Sequence, residues 1–364
     1  MIRPTLLVSC LVLFACDQKE DSAPAKTAPQ KVTDKAAAPT AAAGPKIGLE
    51  LPGNDAKVVA LARKAITCKF EKSDFDSDCA DLKAWKAEED AFAGNKADAT
   101  LVAFIEDDDE KVRVLGVDRL NGWGAGAFVD KALSERILTV AQTTKRSNAL
   151  GFIVGRIKVK ETGLFPRIKA LVATPDAGNI FRGSIVSALL GANPESDEVF
   201  ALIRDLLKDE DLGRAAFMGL AEGGHSKPKE TCALYAATLE NADEYLSSRS
   251  AENLTTFPCQ PQFDTLIKSL EARVKAKKVT DGRFADTLGS LCTAKDATAA
   301  QKKKALALTH KIAEDKTIKA TYVRGAAIGA AVACDAKGGK KYIGKFQKDA
   351  DPDVQQKVSK LLAK

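Results

Sequence analysis

Arginine recurs along this chain at a nearly constant step. The intervals are 33, 36, 32, 35, 34 and 41 residues, and they separate Arg113, Arg146, Arg182, Arg214, Arg249, Arg283 and Arg324. A period of this length is typical of stacked helix pairs, in which each unit packs against its neighbours along the chain. Such a stack presents a long surface to a partner, with no single catalytic cleft by default.

The residues that follow the arginines form the apolar stripe of an amphipathic helix. Positions +3, +4, +7 and +8 after Arg182 are Ile185, Val186, Leu189 and Leu190. Upstream of most arginines lies a second amphipathic stretch and then a short acidic turn, as at 99–105, 128–140, 199–207 and 263–274. The pattern predicts an all-α fold of about eight helix pairs. A capping pair at 55–93, without the arginine, precedes them.

Glycine also keeps to the register of the repeat. It stands five residues after the arginine at Gly151, Gly219 and Gly329, and one residue after it at Gly183 and Gly325. Glycine inside a helix costs about 1 kcal/mol relative to alanine, so its recurrence predicts that a neighbouring backbone packs closely there.

Three turn-plus-helix segments carry a resemblance to a known superfamily. They are FIEDDDEKVRVLGVDRL (104–120), LLKDEDLGRAAFMGL (206–220) and FQKDADPDVQQKVSKLL (346–362). They resemble HEAT repeats, including the HEAT-like repeats named after phycobilisome lyases. The resemblance covers about residues 98–364 and implies a right-handed α-solenoid of stacked helix pairs.

In that superfamily, a turn carboxylate and an arginine of the second helix form a ladder between successive repeats. Carried over, the resemblance implies that Asp109 belongs with Arg113 and Asp211 with Arg214. The units of Arg249 and Arg283 are degenerate. The last unit has Gln355 in place of the arginine, which suits a capping repeat. The arginines are thus interpreted as contacts that hold successive repeats together. The resemblance says almost nothing about activity.

The N-terminus resembles a bacterial lipoprotein signal. Arg3 precedes an apolar run at 6–14, which is too short to span a membrane but suits a signal-peptide core. The run ends in Leu-Phe-Ala-Cys, so residues 1–15 are predicted to be removed and Cys16 to be lipidated. The alternative is an ordinary secretory peptide. Asp17 resembles a signal for retention at the inner membrane, and the outer membrane stays open as the second location.

Residues 16–48 are rich in Ala, Pro, Lys and Thr and have no apolar period. A segment of this composition cannot bury enough surface to offset its chain entropy, so it is predicted to be a disordered tether. The predicted domains that follow are an N-terminal helical cap at 49–97 and the repeat solenoid at 98–364.

Six cysteines besides Cys16 follow the signal, and an even number in an exported protein favours disulfides. Cys68 and Cys79 bracket a short polar turn between helices predicted at 55–70 and 80–92, which favours their pairing. The other four cysteines allow three sets of pairs. Their places in the repeat favour Cys232 with Cys259 and Cys292 with Cys334, and free buried thiols stay an alternative.

No residue pattern nominates a catalytic, metal or cofactor site. No two cysteines have metal-ligand spacing, and the two histidines, His225 and His310, are interpreted as surface residues. Signature motifs of hydrolases, nucleotide-binding proteins and zinc proteases do not occur. The sequence therefore predicts neither a cofactor nor a metal.

Basic side chains outnumber acidic ones by 55 to 49, for a net charge of +6. Lysine runs at 275–278, 302–304 and 337–341 are interpreted as solvated helix faces, with a positive stripe for an anionic partner as the alternative. Export and the modest net charge argue against nucleic-acid binding. Trp123 is expected to pack between repeats, with ligand anchoring as the other reading.

The sequence favours a non-enzymatic scaffold, tethered by lipid in a Gram-negative-type cell envelope and binding a protein partner through the inner helices. The alternative is an enzyme or chaperone-like protein, since HEAT-like folds also occur in bilin lyases and a DNA glycosylase family. A deep pocket with convergent polar groups would favour the enzyme, and a shallow groove the scaffold.

Overall fold

A computed structural model describes residues 51–93, 96–122, 126–143, 147–257, 259–318 and 320–363. These residues belong to one compact unit, Ile47–Lys364. The predicted signal peptide, lipidated Cys16 and the tether lie outside the described residues, as do Trp123 and Arg146.

The described residues form an all-α structure with one small hairpin. The first eleven helices are α1 (Ala56–Ala65), α2 (Ala80–Ala87), α3 (Asp98–Glu106), α4 (Glu110–Leu120), α5 (Lys131–Ala141), α6 (Asn148–Gly155), α7 (Val159–Thr162), α8 (Phe165–Val172), α9 (Asn179–Ala192), α10 (Asp197–Leu206) and α11 (Gly213–Gly223). The remaining eight are α12 (Pro228–Thr238), α13 (Glu244–Thr256), α14 (Phe263–Lys275), α15 (Gly282–Thr293), α16 (Ala299–Glu314), α17 (Thr321–Cys334), α18 (Ala336–Ile343) and α19 (Pro352–Leu362).

Acidic and hydroxyl side chains begin many of these helices. At the N-terminus of a helix the first backbone N–H groups have no partner within the helix, and a side-chain oxygen satisfies one of them. Thr298 does so in a capping box with Gln301. The other side chains that accept such a bond are Asp55, Asp109, Asp130, Ser147, Ser196, Asp243, Asp281, Asp335 and Asp351.

The helices pair in the order that the repeat predicts. Eight pairs follow α1 and α2, namely α3/α4, α5/α6, α8/α9, α10/α11, α12/α13, α14/α15, α16/α17 and α18/α19. The second helices form an uninterrupted row from α4 to α19, because each contacts the second helix of the next pair. The contact is thinnest between α11 and α13. The right-handed path of the stack stays an expectation of the resemblance.

Three local features depart from the predicted pattern. The predicted turn between Cys68 and Cys79 is an antiparallel hairpin of β1 (Phe70–Glu71) and β2 (Asp74–Phe75). Lys72 and Ser73 both have positive φ there, the geometry of a tight two-residue hairpin turn. The predicted helix at 80–92 ends at Ala87, and Phe92 returns to the Trp85 ring with 5.0 Å between centroids. The stretch at 128–140 becomes helical only at Lys131, because Phe128 pairs with Ile157 in a β-bridge.

The core runs along the whole stack, and the N-terminal cap joins it through aromatic rings. Trp85 is fully buried, as its helical spacing predicts, and it stacks at 6.4 Å on Phe104 of α3. The guanidinium of Arg119 in α4 lies 4.0 Å from the centroid of Phe92. These contacts hold α2 against the first repeat pair.

Two of the recurrent glycines meet a neighbouring backbone closely. A Cβ atom on Gly151 would lie 2.6 Å from the carbonyl oxygen of Phe181, and one on Gly219 would lie 2.7 Å from that of Val186. Both distances are shorter than van der Waals contact. Glycine at these positions therefore lets α6 approach α9, and α9 approach α11.

Candidate functional site

The repeated arginines that the structure describes lie on the row of second helices, and most of them have one of two kinds of partner. The first kind is a carbonyl at or just beyond the end of the preceding first helix. Arg113 donates to the carbonyls of Asp107 and Asp108, at 2.9 and 2.6 Å. Arg182 donates at 2.6 Å to the carbonyl of Val172, the last residue of α8. The final carbonyls of a helix lack partners within it, so these guanidinium groups cap the first helices.

The second kind of partner is a carboxylate of the following unit. Arg214 donates from Nε at 2.7 Å and from Nη2 at 3.2 Å to Asp243, the N-cap of α13. Arg324 makes the same two-pronged contact with Asp349, at 2.7 and 3.1 Å, and also bonds the carbonyl of Ala313. These two arginines link successive units directly.

The pairing carried over from the superfamily is wrong in its carboxylates. Asp109 does not receive Arg113; its side chain accepts the backbone N–H of Lys111 and caps α4. Arg214 reaches Asp243 and not Asp211. Asp109 is engaged by its own helix as the N-cap of α4, and Arg113 is engaged by the carbonyls of its own turn.

The degenerate units keep their arginine contacts short and local. Arg249 pairs with Glu252 one turn later at 2.8 Å, and Arg283 pairs with Asp281 at 2.5 Å. Gln355, in the arginine position of the last unit, donates at 2.5 Å to the carbonyl of Asp349, as Arg113 does to its own turn.

Tyr245 of α13 is the meeting point of three units. The guanidinium carbons of Arg214, Arg249 and Arg283 lie 5.2, 5.7 and 5.7 Å from its ring centroid. Cations near an aromatic face are attracted by the ring quadrupole. We name Arg214, Asp243, Tyr245, Arg249, Asp281 and Arg283 the tyrosine cluster. It was not predicted from the sequence, although Tyr245 stands four residues before Arg249 and thus on the same helix face.

Ion pairing shifts the pKa values of one pair in the tyrosine cluster, Arg214 and Asp243. The hydrogen bonds from Arg214 lower the pKa of Asp243, and the same contact raises the pKa of Arg214. Asp281 also accepts a hydrogen bond from Ser248 at 3.1 Å. Asp243 is thus held by Arg214, and Asp281 is held by Arg283 and Ser248.

A groove of about 530 Å³ adjoins the tyrosine cluster and spans three second helices. Its lining consists of Asp281, Gly282, Arg283 and Asp286 from α15 and its N-cap, Tyr322, Gly325 and Ala326 from α17, and Asp353, Gln356, Lys357 and Lys360 from α19. Tyr322 is 61% exposed, and its hydroxyl donates at 3.0 Å to the carbonyl of Thr280. Because most polar members of the lining are exposed, this is an open groove and not a deep pocket.

Gly325 lies in the lining of this groove and Gly329 lies about one turn later in α17, and both correct the expectation of close backbone packing. A Cβ atom on Gly325 would lie 3.9 Å from Cγ of Lys357, and one on Gly329 would lie 3.6 Å from its Cε. No backbone of another helix approaches either position within 4 Å. These glycines make room for the Lys357 side chain. Gly183 likewise meets a side chain, that of Ala215, at 3.5 Å.

The six cysteines form the three disulfides that the sequence favours. Cys68 pairs with Cys79 across the hairpin, and Cys232 in α12 pairs with Cys259 after α13. Cys292 pairs with Cys334, which ties α15 to α17 beside the groove. Three disulfides in one chain indicate an oxidising compartment outside the cytoplasm.

The two histidines differ in their surroundings. His225 is exposed and stacks on Phe257 at 4.3 Å. His310 is only half-exposed, which corrects its interpretation as a surface residue: it stacks at 3.6 Å on Tyr342, and burial lowers its pKa. The lysine runs at 275–278, 302–304 and 337–341 are largely exposed.

In the described part of the chain, no group of three or more metal-binding side chains is placed to hold an ion. Among the helices of the same residues, none has the length and apolarity that a membrane span requires. No protein-family model matches the chain, and the comparison with curated proteins gave no match.

Proposed function

We propose that this protein is a lipid-anchored scaffold of the cell envelope that binds a protein partner through the exposed face of its second helices. One observation carries the proposal: the tyrosine cluster and the groove adjoin on that face and together span five consecutive second helices, α11 to α19. Tyrosine and arginine are enriched where proteins contact one another. Arg214, Tyr245 and Tyr322 place these residue types along one continuous surface.

The mechanism that we propose is presentation of a preformed surface. Binding is weakened when side chains and loops must be ordered at the same time. Here the tyrosine ring is already surrounded by three arginines, and the Cys292–Cys334 disulfide already joins two helices of the groove. The partner would therefore meet groups that are largely in place.

A site-specific crosslink tests the binding surface. A photoreactive amino acid in place of Tyr322 is expected to give a discrete crosslinked species in living cells, because this exposed ring lies in the groove. The matched control is the same amino acid in place of Lys303, which is exposed on the first helix α16. Equal crosslinking at both positions, or none at Tyr322, would contradict the proposed surface.

The lipid anchor is tested separately by Cys16→Ser. The variant cannot be acylated at this position, and we expect it to move from the membrane fraction to the soluble fraction after cell lysis. Two acyl chains hold a protein on a bilayer far more firmly than surface charge alone. Membrane association that is unchanged in Cys16→Ser would refute lipidation of this cysteine.

A further inference from the structure

The groove has two walls of different charge and a floor of small residues. α17 contacts both α15 and α19, so it lies between them. Gly325 and Ala326 of α17 contribute no long side chain to the lining. The walls are therefore α15 and α19, and the exposed ring of Tyr322 lies against Gly282 at the start of α15.

The α15 wall carries an uncommitted carboxylate. Asp286 makes no hydrogen bond and no close ion pair with any described residue, whereas Asp281 on the same wall is held by Arg283. Burial raises the pKa of Asp286, and the charge of Lys357 opposes this shift. A basic group entering the groove would find this carboxylate available.

The α19 wall carries the opposite charge. Lys357 and Lys360 are exposed, and neither has a close carboxylate partner among the described residues. The side chain of Lys357 runs along α17, with its Cγ beside Gly325 and its ammonium nitrogen beside Gly329. Asp353, in the first turn of α19, has a partner of its own. The free charge of this wall is thus positive.

We propose, on the basis of the protein-binding function above, that the groove takes an extended peptide segment in which basic and acidic side chains alternate. Successive side chains of an extended chain point to opposite sides, so the basic ones meet Asp286 while the acidic ones meet Lys357 and Lys360. The helical rise from Asp353 to Lys360 is about 10 Å, the length of about three extended residues. A purely anionic ligand would face Asp286, and a purely apolar one would bury all three charges unpaired.

Two peptides of equal composition test this arrangement. The probes are fluorescein-labelled Lys-Glu-Lys-Glu-Lys-Glu and Lys-Lys-Lys-Glu-Glu-Glu, titrated against the full-length protein in mild detergent, with fluorescence anisotropy as the readout. We expect the alternating peptide to bind about tenfold more tightly, the effect of placing about 1.4 kcal/mol of charge contacts correctly. Equal affinity of the two peptides would overturn the proposal.

Charge reversal in the protein assigns the effect to the two walls. Asp286→Lys and Lys360→Glu should each weaken the alternating peptide about tenfold, while Lys303→Glu on α16 should leave its affinity unchanged. The double variant Asp286→Lys/Lys360→Glu should recover most of the affinity. The charges of the two walls are then exchanged, so the same peptide can bind with its acidic side chains towards α15 and its basic side chains towards α19. A double variant as weak as the single ones would contradict the two-wall arrangement.

Two further controls separate the proposal from a loss of folding and from the proposed scaffold function. Should a reversal lower the melting temperature, Asp286→Asn and Lys360→Gln replace it, each with an expected loss of a few-fold. If neither neutral variant weakens the alternating peptide, the proposal is wrong. If the two peptides bind equally but Tyr322 still gives a crosslinked species in cells, the proposed peptide chemistry is wrong and the proposed scaffold function is not contradicted. If Tyr322 also gives no crosslinked species, the proposed scaffold function is wrong as well.

Discussion

Arg324→Ala is expected to lower the free energy of unfolding by about 3–5 kcal/mol, the usual effect of breaking a buried ion pair. The side chains of Arg324 and Asp349 are only 5% and 6% exposed, and two hydrogen bonds join them. The variant leaves the Asp349 carboxylate buried without its cation, and it also removes a donor from the carbonyl of Ala313. Chemical denaturation followed by circular dichroism at neutral pH measures the change.

Lowering the pH should reduce the difference in the free energy of unfolding between the native protein and Arg324→Ala. The hydrogen bonds from Arg324 lower the pKa of Asp349 below its ordinary value of 3.8. A carboxylate with a depressed pKa in the folded state stabilises that state fully above its unfolded pKa, and the contribution is lost as pH falls through the lower folded pKa. The free energies of unfolding of the two proteins should therefore converge below about pH 4. A constant difference across this range would show that the ion pair is not the cause.

The repeat itself supplies the matched control for this prediction. Arg214 occupies the same place in its unit and makes the same two-pronged contact, but its side chain is 65% exposed. Arg214→Ala should therefore lower stability by less than about 1 kcal/mol, as surface ion pairs usually do. The double variant Arg324→Ala/Asp349→Ala should recover part of the loss, since no unpaired charge stays buried. Equal losses at Arg214 and Arg324 would refute the role given to burial.

Replacing Cys292 and Cys334 together with serine is the second change with a large expected effect. The disulfide joins residues 42 positions apart. In the chain-entropy model its removal lowers the free energy of unfolding by about 4 kcal/mol, because the unfolded chain regains the freedom of that loop. Urea unfolding of the purified protein measures the loss.

The Cys68–Cys79 disulfide is the internal comparison, because its sequence separation is only 11. The same model gives about 3 kcal/mol for this shorter loop, so the serine pair at Cys68 and Cys79 should be the milder variant. Adding a reductant to each variant should remove the stabilisation that its remaining disulfides supply. A native protein equally stable with and without reductant would contradict both predictions.

The sequence predicted the parts of the fold that depend on period. Helix pairs and their order follow from apolar residues such as Ile185 and Leu189 at helical spacing. The favoured pairs among the last four cysteines follow from their places in the repeat. The hairpin at Phe70–Phe75, the single turn α7 and the bridge of Phe128 to Ile157 were not predicted. Each involves only a few residues, too few for a period to be visible.

The candidate site was predicted only in part, for a related reason. The regular spacing of arginine predicted where the second helices lie. It did not predict the partners of Arg113, because these are backbone carbonyls, which every residue has. Tyr245 is a single residue, and its place beside three arginines arises from three helices that meet in space. The recurrence of Gly325 and Gly329 was visible, yet the side chain that fills the space above them was not.

The thin contact between α11 and α13 has a mechanical consequence. On both sides of this joint, from α6 to α11 and from α13 to α19, the second helices are joined by broader packing, whereas this joint is also bridged by the exposed Arg214–Asp243 pair. Dissolved salt weakens the attraction between the members of an exposed ion pair, and it does not weaken apolar packing. Bending of the molecule should therefore concentrate at this joint, and its resistance to bending should fall as ionic strength rises. The row of second helices would then behave as two stiffer segments that meet between α11 and α13, at a joint whose resistance to bending depends on the surrounding salt.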